Sequence, residues 1–167
     1  GAQLLALIEA PARFEAAMGI PAAAGLREFF TSGEVSGGYL EKVRATPGPD
    51  PWALGFAIAH RAQRLVIGTA GFTGPPDAQG AAEVAYAIVP SFQRQGFATE
   101  AAEALVGFAF NDPRVRRLRA HTMPEHNAST RILARNAFSL TGEVTLPADG
   151  MVWRWQLDRS EHKRSLA

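Results

Sequence analysis

Val89-Pro90-Ser91-Phe92-Gln93-Arg94-Gln95-Gly96-Phe97-Ala98-Thr99-Glu100-Ala101 is the stretch that decides how the rest of the chain is read. Before it, Glu83 to Val89 reads as a strand stopped by Pro90; after it, a helix is expected from about Ala98 to Phe110. Ala98, Ala101, Ala102, Leu105 and Ala109 give that helix an apolar stripe, with Glu100 and Glu103 off it. A strand therefore runs through a glycine loop into a helix. Such a helix start carries unpaired N–H groups and about half a unit of positive charge, which together attract an anion. Gly96 and Ala98 let an anionic group approach the main chain, and Arg94 adds a full charge beside it. The chemistry is that of a phosphate or diphosphate cradle; a plain turn shaped by Gly96, with Arg94 in water, fits the same spacing. Neither G-x-x-x-x-G-K-[ST] nor a helix-opening G-x-G-x-x-G occurs. Gly68, Gly71 and Gly74 recur every third residue, but with no helix after them they read as packing and turn glycines.

Outward from this loop, Trp52–Ala59 and Leu65–Phe72 are apolar runs of strand length around the polar turn His60–Arg64, a hairpin. The N-terminal third is expected to be helical over Ala10–Met18, Ala22–Phe30 and Gly38–Ala45. Beyond Asn111-Asp112-Pro113, Val115–Met123 alternates as a strand, Ala128–Asn136 is a short helix, and strands follow near Leu140–Thr145 and Met151–Leu157. The order predicts an α+β domain with a mixed sheet.

Composition narrows the function. At 167 residues the chain is one domain's length, and 47% apolar against 20% charged residues is the balance of an ordinary globular protein. No cysteine is present, which excludes a disulfide scaffold, a thiolate nucleophile and a cysteine-held metal cluster. A net charge of +1 does not point to nucleic acid as a partner. No apolar run approaches the roughly 20 residues of a membrane helix, and Gly1–Glu9 lacks the cationic flank of a secretory signal, so a cytoplasmic location is expected. His121, Glu125 and His126 lack metal-ligand spacing, and no metal is expected.

Gln93-Arg94-Gln95-Gly96-Phe97-Ala98 matches the Q/R-x-x-G-x-G/A pyrophosphate loop of the GNAT acetyltransferases. Pro124-Glu125-His126-Asn127-Ala128-Ser129-Thr130-Arg131-Ile132-Leu133-Ala134-Arg135-Asn136-Ala137-Phe138 resembles that family's P-E-N-x-A-S-x-R-V-L-E-K-x-G-F signature, and Glu83-Val84-Ala85-Tyr86 its E-I-G-Y strand. The three stand in order and in register over about residues 50 to 157. The branch they most resemble holds the ribosomal-protein alanine and serine N-terminal acetyltransferases. The resemblance implies a single GNAT domain over 1–167, its mostly antiparallel mixed sheet of six to seven strands flanked by helices.

It further implies acetyl-coenzyme A as cosubstrate and transfer of its acetyl group to a primary amine, either a small molecule or a peptide N-terminus. Arg94, Gln95, Gly96, Phe97 and Ala98 inherit the pyrophosphate, and Ile88 and Val89 on a splayed strand inherit the pantetheine arm. Residues 91 to 140 hold seven Arg against four Asp or Glu, a charge that suits such a cofactor. Asn127 either contacts that arm or caps the short helix. Glu83 matches the position of the catalytic base, the alternative being a solvated carboxylate; His121, Glu125 and water are reserves. Ser129 matches the serine that meets the departing thiol. Leu133 stands where other branches carry a Tyr acid, which leaves room for a non-catalytic acetyl-coenzyme A sensor or for transfer of a bulkier acyl group. Ala137 replaces the usual Gly before Phe138 and is strained if its φ is positive. Homodimers are common among such relatives.

Overall fold

The computed structural model describes residues 2–32, 41, 43–46 and 48–165. Most of the helix expected over Gly38–Ala45 lies outside the described residues; 43–45 are helical. In chain order come α1 (Ala2–Glu9), α2 (Pro11–Met18), α3 (Leu26–Thr31), α4 (Pro51–Leu54), β1 (Phe56–His60), β2 (Leu65–Phe72) and β3 (Ala81–Ile88). After a 3-10 turn at Pro90–Phe92 follow α5 (Phe97–Asn111), β4 (Arg117–Thr122), α6 (Ala128–Arg135), β5 (Ser139–Leu146), β6 (Gly150–Asp158) and α7 (Arg159–Ser165). The six strands run in the order β1-β2-β3-β4-β6-β5. β3 and β4 are parallel, whereas β1–β2, β4–β6 and β5–β6 are antiparallel, so the sheet is mixed as expected. The chain packs as two compact units, one of residues 1–72 and 86–97, the other of 73–85 and 98–167.

In the first unit, three expectations need correction. Trp52–Ala59 is not one strand. The Asp50 carboxylate accepts from the N–H groups of Trp52 (2.9 Å) and Ala53 (3.3 Å), and with Pro51 behind it this cap winds one helical turn. Gly55, at φ 64°, ends the turn and lets β1 begin at Phe56. Ala22–Phe30 is helical only from Leu26, because Ala22 bridges to Val66 and the Ala23 N–H donates to the Val66 carbonyl at 2.8 Å. Sheet bonding thus overrides the helix propensity of the alanines. Before Pro11 there is a separate helix, α1, that the apolar start did not announce. The core of this unit is drawn from α3 and β2, with Leu26, Phe30, Val66 and Ile67 nearly or fully out of solvent.

In the second unit, α5 buries Ala101, Ala102, Leu105 and Ala109 of the stripe read from the sequence, together with Val106 and Phe110, while Ala98 is half-buried. Leu118 on β4 and Leu157 on β6 are fully buried, and they are partners in the antiparallel ladder. Helix α7 was not anticipated. Its first residue, Arg159, donates to the carbonyls of Val115 (2.7 Å), Phe110 (2.6 Å) and Asp112 (2.5 Å), with its guanidinium 5.2 Å from the centre of the Phe110 ring. The Asp112 carbonyl also accepts from the Val115 N–H at 3.1 Å, so the guanidinium adds to the turn's own bonding at the end of α5. Among the described residues no helix is long and apolar enough to cross a membrane.

Candidate functional site

The glycine loop is pinned at both ends and open in the middle. Phe92 before it and Phe97 after it flank the His60 ring, with centroids 5.5 and 5.0 Å away, and lie 6.4 Å from each other. Gln93 turns its side chain back, Nε2 donating to the Ile88 carbonyl at 2.8 Å, and Gln95 Nε2 reaches the Ser91 carbonyl at 3.3 Å. Between the two rings, Arg94 (φ 60°) and Gly96 (φ 92°) adopt the left-handed conformation. Turns of this kind bring successive N–H groups into a concave anion-binding surface. A Cβ built on Gly96 meets nothing within 4 Å, so the space over the main chain is open, and a side chain there would oppose both φ and access. Arg94 is exposed, and among the described residues it makes no ion pair. Ala98 follows in the first turn of α5, half-buried.

The strand leading into the loop is also divided. The β3–β4 ladder runs through Ala81↔Arg117, Ala82↔Leu118 and Glu83↔Arg119 and stops there, although β4 goes on pairing with β6 as far as Thr122↔Trp153. Val89 is fully engaged at the main chain: its N–H donates to Ile67 O (2.9 Å) and its carbonyl accepts from Phe92 N–H (2.9 Å). Main-chain groups alternate sides along a strand, so the Ile88 N–H points to the opposite edge from that of Val89. The Ile88 carbonyl accepts from Gln93 Nε2, so of the main-chain groups expected to serve, the Ile88 N–H is the one facing away from the Ile67 bond.

In the second unit, Glu83 is half-buried on β3. Its Oε1 lies 2.8 Å from Nδ1 of His121, and Nε2 of His121 accepts from Arg154 Nε at 3.2 Å. His121 therefore has both ring nitrogens occupied, which removes it as a reserve base. Glu125 is exposed, and its Oε1 makes a long 3.4 Å contact with Asn127 Nδ2. Asn127 is the N-cap of α6. Its Oδ1 accepts from Thr130 N–H (3.2 Å), and Thr130 Oγ1 accepts from Asn127 N–H (3.1 Å), a reciprocal capping box. Of the two roles open to Asn127, this geometry supports the cap. His126 packs against Trp153, ring centroids 5.1 Å apart. Ser129 sits half-buried in the first turn of α6, its hydroxyl without a hydrogen-bond partner among the described residues. Leu133 is 1% exposed, a core residue. Burial pushes the Tyr86 phenol above its ordinary value of 10.0, so it stays neutral at any working pH. Among the described residues no group of three or more His, Asp or Glu side chains could hold a metal.

Two partners were missed from sequence: Arg154, whose approach to His121 depends on the β4–β6 register, and Thr130, the other half of the capping box. The second was readable, since Asn-x-x-Thr before an apolar run is a variant of the capping signature. The first was not.

The acetyltransferase (GNAT) domain family matches residues 22–139, a span that holds the glycine loop, Glu83 and α6. The chain belongs to the GNAT acetyltransferase family. A relative, the uncharacterized N-acetyltransferase YjdG of Bacillus subtilis (strain 168), is 31% identical over 101 residues, 60% of this chain and 58% of its own length. The chain thus spans little more than half of that relative. Among solved structures, the aminoglycoside acetyltransferase AAC(6')-Ib in complex with coenzyme A superposes with a TM-score of 0.56 at 23% identity, over 62% of this chain and 66% of that one. RimL, a ribosomal L7/L12 alpha-N-protein acetyltransferase in complex with coenzyme A, does so with a TM-score of 0.54 at 22% identity, over 59% of each chain. At these identities the two structures support the GNAT fold.

Proposed function

We propose that this GNAT domain is an acetyl-coenzyme A-dependent N-acetyltransferase acting on a primary amine by direct attack in a ternary complex. The observation that carries the reading is the loop: left-handed Arg94 and Gly96, clamped by Phe92 and Phe97, at the start of the 15-residue helix α5. That is the geometry of an anion site, with an exposed guanidinium beside it that makes no ion pair among the described residues, suited to the cofactor's diphosphate. Arg94, Gln95, Gly96, Phe97 and Ala98 hold the diphosphate, and the Ile88 N–H meets the pantetheine arm or the charge growing on the thioester oxygen.

In the reaction the amine lone pair attacks the thioester carbonyl carbon and the carbon–sulfur bond breaks, its electron pair leaving on sulfur. The proton lost by the amine goes to Glu83, directly or through one water. The thiolate is protonated by Ser129 or by water, the Ser129 hydroxyl having no competing partner among the described residues. Holding both reactants together supplies much of the rate. The acceptor is a small amine or a peptide N-terminus. Leu133, buried where a Tyr acid would stand, favours a second reading in which the domain binds acetyl-coenzyme A without turnover.

The first test is a thermal-shift titration with acetyl-coenzyme A, with Arg94→Glu as control. Ligand at one hundred times its Kd adds about 2.7 kcal/mol, which is a rise of roughly 5–10 °C for a chain of this size. A shift weakened in the variant supports the loop assignment, and no shift at millimolar ligand overturns it. Thiol release over a panel of an aminoglycoside, spermidine and peptides beginning with Ala or Ser then separates the enzyme from the binding module.

A further inference from the structure

We propose that His121 and Arg154 are positioning residues that hold one oxygen of Glu83 and leave the other free to take the acceptor's proton; this rests on the reading of Glu83 as the base. The three side chains share one face of the sheet. Glu83 and Arg119 are partners in the parallel ladder, His121 lies two residues beyond Arg119 on the same face, and His121 is directly opposite Arg154 in the antiparallel ladder. Glu83 occupies the last rung of the β3–β4 ladder.

The hydrogen bonds fix the imidazole completely. Arg154 has only donors, so its Nε–H at 3.2 Å requires a lone pair on His121 Nε2. The ring proton is then on Nδ1, which donates to Glu83 Oε1 at 2.8 Å. Turning the ring over would break both bonds and aim a C–H at the carboxylate. The His121 side chain is 11% exposed and that of Glu83 33%, so the supporting ring is shielded while the carboxylate reaches solvent. Among the described residues Glu83 Oε2 has no partner, which makes it the oxygen that accepts the proton. The logic is that of a base held by an oriented third group, here with the order of carboxylate and imidazole exchanged: the histidine orients and the carboxylate reacts.

The test combines a spectrum that needs no acceptor with kinetics that do. Long-range proton–nitrogen spectra of the imidazoles, with the His121 signal assigned by its loss in His121→Leu, should show the Nδ1–H form in the parent and a loss of that preference in Arg154→Met. In thiol release from acetyl-coenzyme A, with whichever acceptor of the panel serves the parent, Glu83→Gln should fall by roughly 10²–10⁴-fold. His121→Leu and Arg154→Met should lose roughly 10- to 100-fold in kcat with KM for acetyl-coenzyme A unchanged. His121→Asn, whose Nδ2–H stands where Nδ1–H did, should recover most of the loss, which a merely space-filling role would not require. An Nε2–H form in the parent overturns the proposal. So does parent-like kcat in both His121→Leu and Arg154→Met when Glu83→Gln is impaired. Parent-like turnover in Glu83→Gln, or no thiol release from the parent with any acceptor, instead removes the reading of Glu83 beneath it. If His121→Leu does not fold, Arg154→Met decides the kinetic arm and the disappearance of the ring signal in His121→Asn assigns the spectrum.

Discussion

Replacing Gly68 by Ala should damage the fold and displace β3 together. Gly68 lies on β2, and a Cβ built there falls 2.1 Å from the Ala87 carbonyl oxygen, 3.1 Å from its carbon and 3.1 Å from Ile88 Cα. All three are main-chain atoms, so no rotamer change relieves the overlap. A tolerable carbon–oxygen approach is about 3.3 Å, which asks β3 to move by roughly 1.2 Å at the residue before Ile88. Overpacking of this kind costs about 3 kcal/mol at the upper end of its usual range, and a chain of this size then loses about 6–12 °C in Tm. The same movement carries the Ile88 N–H away from its place, so the thermal shift produced by acetyl-coenzyme A should shrink as well. Gly107→Ala is the control: its Cβ meets nothing within 4 Å on the exposed side of α5, and Ala in a helix interior is favoured by about 0.5–1 kcal/mol. The two variants are measured side by side by thermal melting with and without ligand. A Gly68→Ala protein melting within about 2 °C of the parent, with an undiminished ligand shift, would refute the reasoning.

Asn127→Ala should cost about 1 kcal/mol through loss of the α6 cap, lowering Tm by about 2–4 °C while the Kd for acetyl-coenzyme A by calorimetry stays put. An unchanged Tm with a tenfold weaker Kd would give Asn127 to the cofactor instead. Ala137 adopts φ 63°, a conformation that costs a non-glycine residue about 1–2 kcal/mol, of which the extra unfolded freedom of glycine offsets about 0.4–1. Ala137→Gly should therefore raise the urea midpoint slightly, by the equivalent of roughly 0.5 kcal/mol, and a fall would count against strain at this site. The Ala81 N–H above all, joined by the Gln79 N–H and the Arg119 guanidinium, holds the Asp77 carboxyl below its ordinary 3.8. A carboxyl lowered by folding stabilises the protein above the unfolded value, and that contribution is lost as pH falls through the lower folded value. Urea midpoints of parent and Asp77→Asn should differ near neutrality and converge in acid; a gap that persists below the carboxylate range would refute it.

The parts of the fold governed by local periodicity were legible. The stripe on α5, the strand β2 and the alternation of β4 each follow from the spacing of apolar residues, and each appears within about two residues of its expected ends. What failed locally failed because a specific hydrogen-bond partner overrode propensity, distant in one case and two residues upstream in the other. Ala22 and Ala23 are good helix formers held extended by Val66, and Trp52–Leu54 is strand-like material wound into a turn by the Asp50 cap. The site divides the same way. The loop could be read because strand, glycine and helix start are contiguous. The hold on Glu83 could not, since it joins residues 83, 121 and 154 through two ladder registers that no local pattern specifies. Asn127 lay between, with its cap readable once Thr130 is counted at the third position.

The Arg159 clamp ties the order of folding to the order of synthesis. Its three carbonyl partners belong to the end of α5 and the turn before β4, yet the guanidinium that satisfies them is the forty-eighth residue after Asn111. At about 5–20 residues per second, a ribosome adds it roughly 2–10 s after α5 is complete. Throughout that interval the end of α5 has only its local turn bonds, Asp112 N–H to Ala109 O and Val115 N–H to Asp112 O, and Phe110 lacks its cationic cover. A release or cleavage before residue 159 would make that interim state permanent.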